Sequence, residues 1–353
     1  MKLNVKQFKK PLVIAGPCSA ESQEQMLSTA KSLKDTISIF RAGIWKPRTR
    51  PNSFEGMGQK ALTWMQEVKS QTGLKVATEV ANAQHVEHCL KANVDVLWIG
   101  ARTTVNPFYV QEIASALSGV DIAVMVKNPL HPELSLWMGA LERLNKKGID
   151  NLFAIHRGFF TLEKSAFRNE PKWEIPIKLK RLVPDLPLLC DPSHISGNTH
   201  MIAEVSQIAM DLNMDGLMIE SHHKPSQALS DAQQQITPNR LIEILNDLIL
   251  RTSTTPNPDF KSTLKNLRSQ IDIIDKQLLE IVANRTEIVK EIGHFKKANN
   301  VTILQIERWF EILKSRKEWG EQFDLDTHAI AELFELIHKH SVLMQTHILN
   351  QNG

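Results

Sequence analysis

Cysteine is scarce in this chain: Cys18, Cys89 and Cys190 among 353 residues. So few, so widely scattered, cannot frame a disulfide-stapled fold, and they point to a reducing, cytoplasmic setting. Long apolar runs are lacking as well. No stretch reaches the roughly 18 residues that suggest a membrane span. The basic start MKLNVKQFKK leads into an apolar run too short, and too soon interrupted by Pro17, for a targeting signal. Nor does one sign of charge prevail. Lys and Arg number 42 against 39 Asp and Glu, a net charge of +3, without the basic tail that grips nucleic acid through many phosphates. The expectation is of neither a membrane nor a nucleic-acid partner.

What is present is apolar material enough, 42% of residues, for a large core and two domains of unequal size. The seam between them is TSTTPNPDF, where small polar residues and two prolines separate differently patterned regions. The predicted division is 1–251, a linker at 252–259, and 260–353.

Before the seam, eight short apolar runs, PLVIAG, SIFRAG, LKVATEV, VDVLWIG, DIAVMVK, NLFAIHRG, LPLLCDP and DGLMIE, are spaced with helix-compatible sequence between most of them. Repeated βα units of this kind predict an eightfold β/α (TIM) barrel of the α/β class. Each run is followed by polar, reactive residues, on the face where such barrels build active sites. Arg41, Lys46, Arg48, Arg102, Lys127 and Arg157 fall there. Singly, each reads as a solvated charge; converging on one rim, they predict a site for small phosphorylated and carboxylated molecules. Trp45 and Trp98 lie in strand or strand-end context, where packing explains them.

Cys18, His194, Glu220 and Asp231 follow the first, seventh and eighth runs, so they can meet across the barrel mouth. A thiolate, an imidazole and two carboxylates suit Mn2+, Fe2+, Co2+ or Zn2+. Bland roles stand beside that one: a small buried hydrophobe for Cys18, a capped turn for His194, an ion pair for Glu220, and for Asp231 an N-cap for the segment DAQQQ that it begins.

GPCSAES, KPRTRPNSFEG, GARTTVNPF, KNP, HRGF, DPSHISGN and MIESHHKPSQALSDAQQQITP together resemble the type Iβ class of 3-deoxy-D-arabino-heptulosonate 7-phosphate (DAHP) synthases, in order, over most of Pro11 to Pro238. The resemblance implies a shikimate-pathway enzyme that condenses phosphoenolpyruvate with erythrose 4-phosphate, releases phosphate, and requires one divalent metal ion. It implies that Cys18, His194, Glu220 and Asp231 hold the metal, which polarises the aldehyde. Arg41 and Lys46 then hold the carboxylate side of phosphoenolpyruvate, and Arg102, Lys127 and Arg157 surround its phosphate. Arg48 and Thr49 receive erythrose 4-phosphate, while Arg50 has no assigned role. The related synthase that uses arabinose 5-phosphate carries a KANRS-type loop where this chain has KPRT, which favours the four-carbon sugar. About ten residues precede the first run, so the N-terminal regulatory domain of some members is not expected.

After the seam nearly everything reads as helix. From Phe260 to about Ala298 one long helix carries Leu264, Leu267, Ile271, Ile274, Leu278, Ile281, Ile288, Ile292 and Phe295 in a heptad stripe. A tail this small cannot cover such a stripe, which predicts pairing with a second copy, at least a homodimer. Arg285 interrupts the stripe, and a bound carboxylate would offset the cost of burying it. With Arg268, Lys296, Arg308 and HKHSVLMQ, the tail resembles the all-helical chorismate mutases. That implies Arg268 of the partner chain, Arg285 and Arg308 binding substrate carboxylates, and Lys296 and Gln345 at the ether oxygen with Ser341 nearby. Rearranging chorismate to prephenate needs no nucleophile, only a cationic cavity that holds the compact conformer. Gln305 and Trp309 stand where some relatives have Asp and Glu, the Glu serving the substrate hydroxyl; either Glu307 or Glu311 compensates, or the activity is weakened. The expectation is a bifunctional enzyme whose tail mediates feedback by prephenate or chorismate. The alternative is a synthase whose tail is a non-catalytic sensor and dimerisation module.

Overall fold

The computed structural model describes residues 11–46, 53–162 and 165–350. The chain divides into two compact units, Met1–Ser253 and Thr254–Gly353. Eight parallel strands form a closed barrel in sequence order: β1 (Leu12–Gly16), β2 (Ile39–Arg41), β3 (Lys75–Val80), β4 (Val96–Ile99), β5 (Ala123–Lys127), β6 (Leu152–His156), β7 (Leu188–Cys190) and β8 (Gly216–Glu220). Pairing of Ala15 with both Phe40 and Ile219 closes the ring at β1. Between and after the strands run α1 (Gln23–Leu33), α2 (Lys60–Thr72), α3 (Ala83–Lys91), α4 (Ala101–Thr104), α5 (Pro107–Ala116), α6 (Leu134–Lys146), α7 (Glu174–Leu182), α8 (Pro192–Ser196), α9 (Ile202–Asp211) and α10 (Pro238–Asp247).

Strand parity sorts the side chains into two cores. Outward residues such as Val13, Phe40, Val76 and Leu217 pack beneath the helices. Inward residues, among them Leu12, Ile14, Ile39, Ala77, Phe153 and Met218, fill the barrel. Side chains alternate with a period of two, so each inward column continues upward to a determined residue. For β1 that residue is Gly16; for the other seven strands they are Arg41, Glu79, Trp98, Lys127, Arg157, Asp191 and Glu220: one large aromatic and six charges. The apolar filling thus gives way to charge at the C-terminal mouth, and Trp98, 1% exposed, is the floor beneath it.

His156 faces the other way, between Phe159 and Trp173 at ring-centroid distances of 5.7 and 5.1 Å. Burial, reinforced by the adjacent Arg157, pushes its pKa down from 6.5 to about 3. As pH falls through 6.5 the unfolded chain takes up a proton that the fold refuses, so stability is lost below that value. At pH 5 the loss is about 2 kcal/mol for a shift of this size. His156→Phe is expected to flatten the decline of the barrel's thermal midpoint between pH 7 and 5. Parallel declines in both proteins would show that His156 does not contribute.

The second unit is helical: α11 (Pro258–Ala298), α12 (Ile306–Gln322) and α13 (Thr327–Asn350). Asn257 caps α11 by accepting from the N–H groups of Asp259 and Phe260, and Pro258 occupies its first turn, where no backbone donor is missed. At 41 residues α11 is about 60 Å long. It touches α13 at Gly293, where a β-carbon would sit 3.0 Å from Ile348 Cδ1 and 3.3 Å from Gln345 Cγ. Val289 and Ile348 are buried there, while Ile271, Ile274, Leu278 and Ile281 are 54–64% exposed.

Candidate active sites

Past β1 the chain turns at Cys18, which is fully buried. Its N–H donates to Gln235 Oε1 (2.9 Å), tying this turn to the loop after β8. Arg41 Nη2 and Lys46 Nζ each donate to Cys18 O at 3.1 Å, and Lys46 Nζ lies 2.9 Å from Sγ. At the end of β8, Glu220 accepts from Arg41 (3.2 Å) and Gln234 (2.7 Å). Asp231 is left-handed, with φ 46°, a conformation Asp tolerates better than most residues. Its Oδ2 accepts from Cys18 Sγ at 3.3 Å and its Oδ1 from Arg168 at 3.1 Å. Although it occupies the N-cap position before Ala232–Gln234, it makes no capping bond.

Cys18, Glu220 and Asp231 each offer a ligand atom within 4.8 Å of the others. Tetrahedral coordination at bond lengths near 2.0–2.3 Å needs donors about 3–4 Å apart, so a small contraction suffices. His194 stands beside the three, Nε2 3.8 Å from Glu220 Oε1 and Nδ1 2.8 Å from Asp191 Oδ2. Burial holds the imidazole below its ordinary pKa, hence neutral, as a metal ligand must be. Burial, then the Glu220 carboxylate, pushes the Cys18 thiol up to about 12. Burial would also raise Asp231, but Arg168, ahead of His194 and Lys46, keeps it below the usual carboxylate range. A neutral thiol, a neutral imidazole and carboxylates in one pocket fit a divalent cation, which would draw off the thiol proton.

Beside this cluster opens a cavity of ≈ 390 Å³, within the range of small-molecule sites. Lys46, Arg102, Lys127, Arg157 and Arg168 line it. Lys127 is aimed by Asp191, whose Oδ2 accepts from Nζ at 2.6 Å. Arg157 donates to Asn169 Oδ1 (2.5 Å), and Asn169 in turn donates to His194 O (2.6 Å). Burial lowers the Arg157 pKa to about 10, still a cation at neutral pH. Below the cations, the Trp98 ring lies 4.8 Å from Arg41 Cζ and 6.0 Å from Lys127 Nζ, and its Nε1 donates to Glu79 (3.0 Å). Arg41 Nε is buried without a partner among the described residues.

In the second unit, Arg285 on α11 donates to Ser341 Oγ on α13 at 2.9 Å. Ser341 and Gln345 are each 8% exposed, and Gln345 Oε1 is buried without a partner among the described residues. Lys296 Nζ donates to Ile303 O at 2.5 Å. Arg308 is 61% exposed and pairs with Glu311 at 2.9 Å. Arg268 lies 17 residues before Arg285 on the same helix, roughly 25 Å along its axis, so the two cannot serve one pocket within a single chain.

Residues 7–254 match the DAHP synthetase I family. The chain belongs to that family. Residues 267–346 match the chorismate mutase type II family, so a DAHP synthase domain is followed by a chorismate mutase domain, both enzymes. The DAHP synthase domain is similar to a phospho-2-dehydro-3-deoxyheptonate aldolase of Thermotoga maritima, 29% identical over 237 residues, 67% of this chain and 68% of the relative. It is also similar to a 2-dehydro-3-deoxyphosphooctonate aldolase of Wolinella succinogenes, 25% identical over 259 residues, 67% of this chain and 98% of that one. A solved structure of the Thermotoga maritima DAHP synthase matches with TM-score 0.60 at 29% identity, covering 67% of each chain.

The DAHP synthase domain therefore brings Cys18, Glu220 and Asp231 together, with His194 adjoining, and sets Arg41, Lys46, Arg102, Lys127 and Arg157 around one mouth. Arg48 and Thr49 lie outside the described residues. Asp191, Glu79 and Arg168, absent from the residues expected from sequence, share the same mouth. Parity could have found the first two, since they continue the inward columns of β7 and β3. Among the described residues no helix is long and apolar enough to cross a membrane.

Proposed function

We propose that the barrel condenses phosphoenolpyruvate with erythrose 4-phosphate to DAHP and that the tail rearranges chorismate to prephenate. The supporting observation is the cation-lined cavity beside Cys18, Glu220 and Asp231. Five cations facing one cavity can hold two phosphorylated substrates against their mutual repulsion, which is itself a large part of bringing them to reaction. Lys127 and Arg157 are buried and pre-aimed by Asp191 and Asn169, and so act as the rigid half of the clamp. Lys46, next to Cys18, reaches the boundary between the cluster and the cavity, where it can stabilise charge on the reacting oxygens. In the reaction the bond between C3 of phosphoenolpyruvate and the aldehyde carbon forms, water adds at C2, and phosphate leaves.

Enzymes of this family generally depend on a divalent metal. Cys18, Glu220, Asp231 and His194 would hold it, as Mn2+, Fe2+, Co2+ or Zn2+, and when bound it would supply Lewis-acid polarisation of the aldehyde. Relatives named for the heptonate and the octonate both match, and KPRT favours the four-carbon sugar phosphate.

In the tail, Arg285, Lys296, Ser341 and Gln345 would meet the substrate, with Arg308 on α12 and with Arg268 supplied by the partner chain. The exposed stripe Ile271–Ile281 supports a homodimer, because covering each such side chain is worth about 1.5–3 kcal/mol. Prephenate or chorismate bound there would restrain the barrel, a coupling of separate sites.

Paired assays on the full-length chain test the reading. Phosphoenolpyruvate consumption with erythrose 4-phosphate should stop on chelation, return with Mn2+, and slow when prephenate is added, while chorismate is consumed throughout. Synthase activity indifferent to chelation removes the metal assignment. Chorismate that binds without turnover converts the tail into a sensor and dimerisation module.

A further inference from the structure

The tail residues expected to meet the substrate are rich in donors and include no carboxylate; Gln345, whose amide N–H would serve the ether oxygen, offers Oε1 as an acceptor without a partner among the described residues. Arg285 and Lys296 can only donate. The Ser341 hydroxyl gives its proton to Ile337 O (2.8 Å) and accepts from Arg285. Chorismate carries, besides two carboxylates and an enol ether oxygen, a ring hydroxyl whose proton needs an acceptor. The carboxylates next to Trp309 in sequence do not supply one: Glu311 is 66% exposed and bound to Arg308, and Glu307 is exposed.

His338 lies three residues before Ser341 and seven before Gln345 on α13, so the three share one helical face. Its ring stacks on Trp309 of α12, with centroids 3.8 Å apart and planes inclined by 16°. Contact this close fixes the ring plane, and both ring nitrogens lie in that plane. Burial, then Arg285 and Lys296 from α11, lowers its pKa from 6.5, while from α12 it meets the uncharged Trp309. The ring is therefore neutral at neutral pH, and one of its nitrogens carries a lone pair.

We propose that His338, held in plane by Trp309, accepts the hydrogen bond of the substrate's ring hydroxyl, an inference that rests on the tail being the chorismate-rearranging site. Trp309 acts through His338 as a positioning residue. The two form one device, an aromatic plate and an imidazole, where some relatives are expected to carry a carboxylate.

The test is chorismate consumption by the full-length chain as a function of pH, for the wild type, His338→Phe and His338→Gln. His338→Phe keeps an aromatic stack and removes the nitrogens. At pH 7.5 it should lower kcat/KM by roughly ten- to a hundredfold, as expected for leaving a buried donor unsatisfied. His338→Gln, whose amide oxygen can accept, should recover part of that. The wild type should lose activity as pH falls and the imidazole is protonated, and this acid limb should vanish in His338→Phe. With an analogue lacking the ring hydroxyl, wild type and His338→Phe should turn over alike. Equal activity of the two on chorismate, or an equal penalty with the analogue, overturns the inference and leaves the mutase reading intact. A wild type that does not consume chorismate overturns both.

Discussion

Cys18→Ser is expected to lower phosphoenolpyruvate consumption by at least about a thousandfold, a loss of roughly 4 kcal/mol of transition-state stabilisation, and to abolish metal retention measured by elemental analysis. The substitution is nearly isosteric. A serine hydroxyl can still donate to Asp231 Oδ2, as the thiol does at 3.3 Å, and can still accept from Lys46. What it cannot do is ionise as a thiolate ligand, because its proton is held far more tightly than the thiol's. Chorismate consumption by the same protein should be unchanged, which separates loss of the site from loss of the chain. If Cys18 were only a small buried hydrophobe, the change would lower the barrel's thermal midpoint and leave synthase activity and metal content nearly intact. Asp231→Asn provides an independent check. It keeps the left-handed turn and removes the charge that Arg168 balances, so metal retention should fall while the barrel remains folded.

The barrel was legible because each strand announces itself twice, by a short apolar run, often β-branched, and by the polar cluster that follows it. Parity extends that legibility into the site: Ile39 in the core dictates that Arg41 points into the mouth, and Met218 does the same for Glu220. Asp191 escaped because DPSH reads as a turn, and its role depends on Lys127, 64 residues away. Parity gives Asp191 its direction, but the partner it meets there, at the end of β5, is set by the order of the strands in the barrel. Arg168 escaped for a related reason. It lies in a loop with no periodicity, and only its contacts with Asp231 and Gln234 reveal its direction. In the tail, the long helix follows from its heptads, whereas the stack of Trp309 on His338 depends on the relative rotation of α12 and α13, to which helical period is blind. The departure at Trp309 was visible in sequence; what stands against it required the fold.

Arg285→Ala is expected to lower kcat/KM for chorismate by about a thousandfold or more, and Arg285→Lys by about a hundredfold, with phosphoenolpyruvate consumption retained. The gradation follows from geometry. A guanidinium offers a carboxylate two parallel N–H donors, while an ammonium at that position offers a point charge. Arg285 reaches Ser341 with one nitrogen, Nη1 at 2.9 Å, and lies half-buried in a stripe whose flanking members are Ile281 and Ile288. A cation placed there for stability alone would be a poor choice, since exchanging it for an apolar residue is often neutral or favourable. The thermal midpoint of the tail in Arg285→Ala should therefore hold or rise while turnover collapses. A lower midpoint with turnover preserved would instead make Arg285 a structural residue. The same variant separates catalysis from regulation. If prephenate restrains the barrel from this pocket, Arg285→Ala should also release the synthase from prephenate inhibition, because a ligand can shift a distant equilibrium only by as much as it binds one state better than the other.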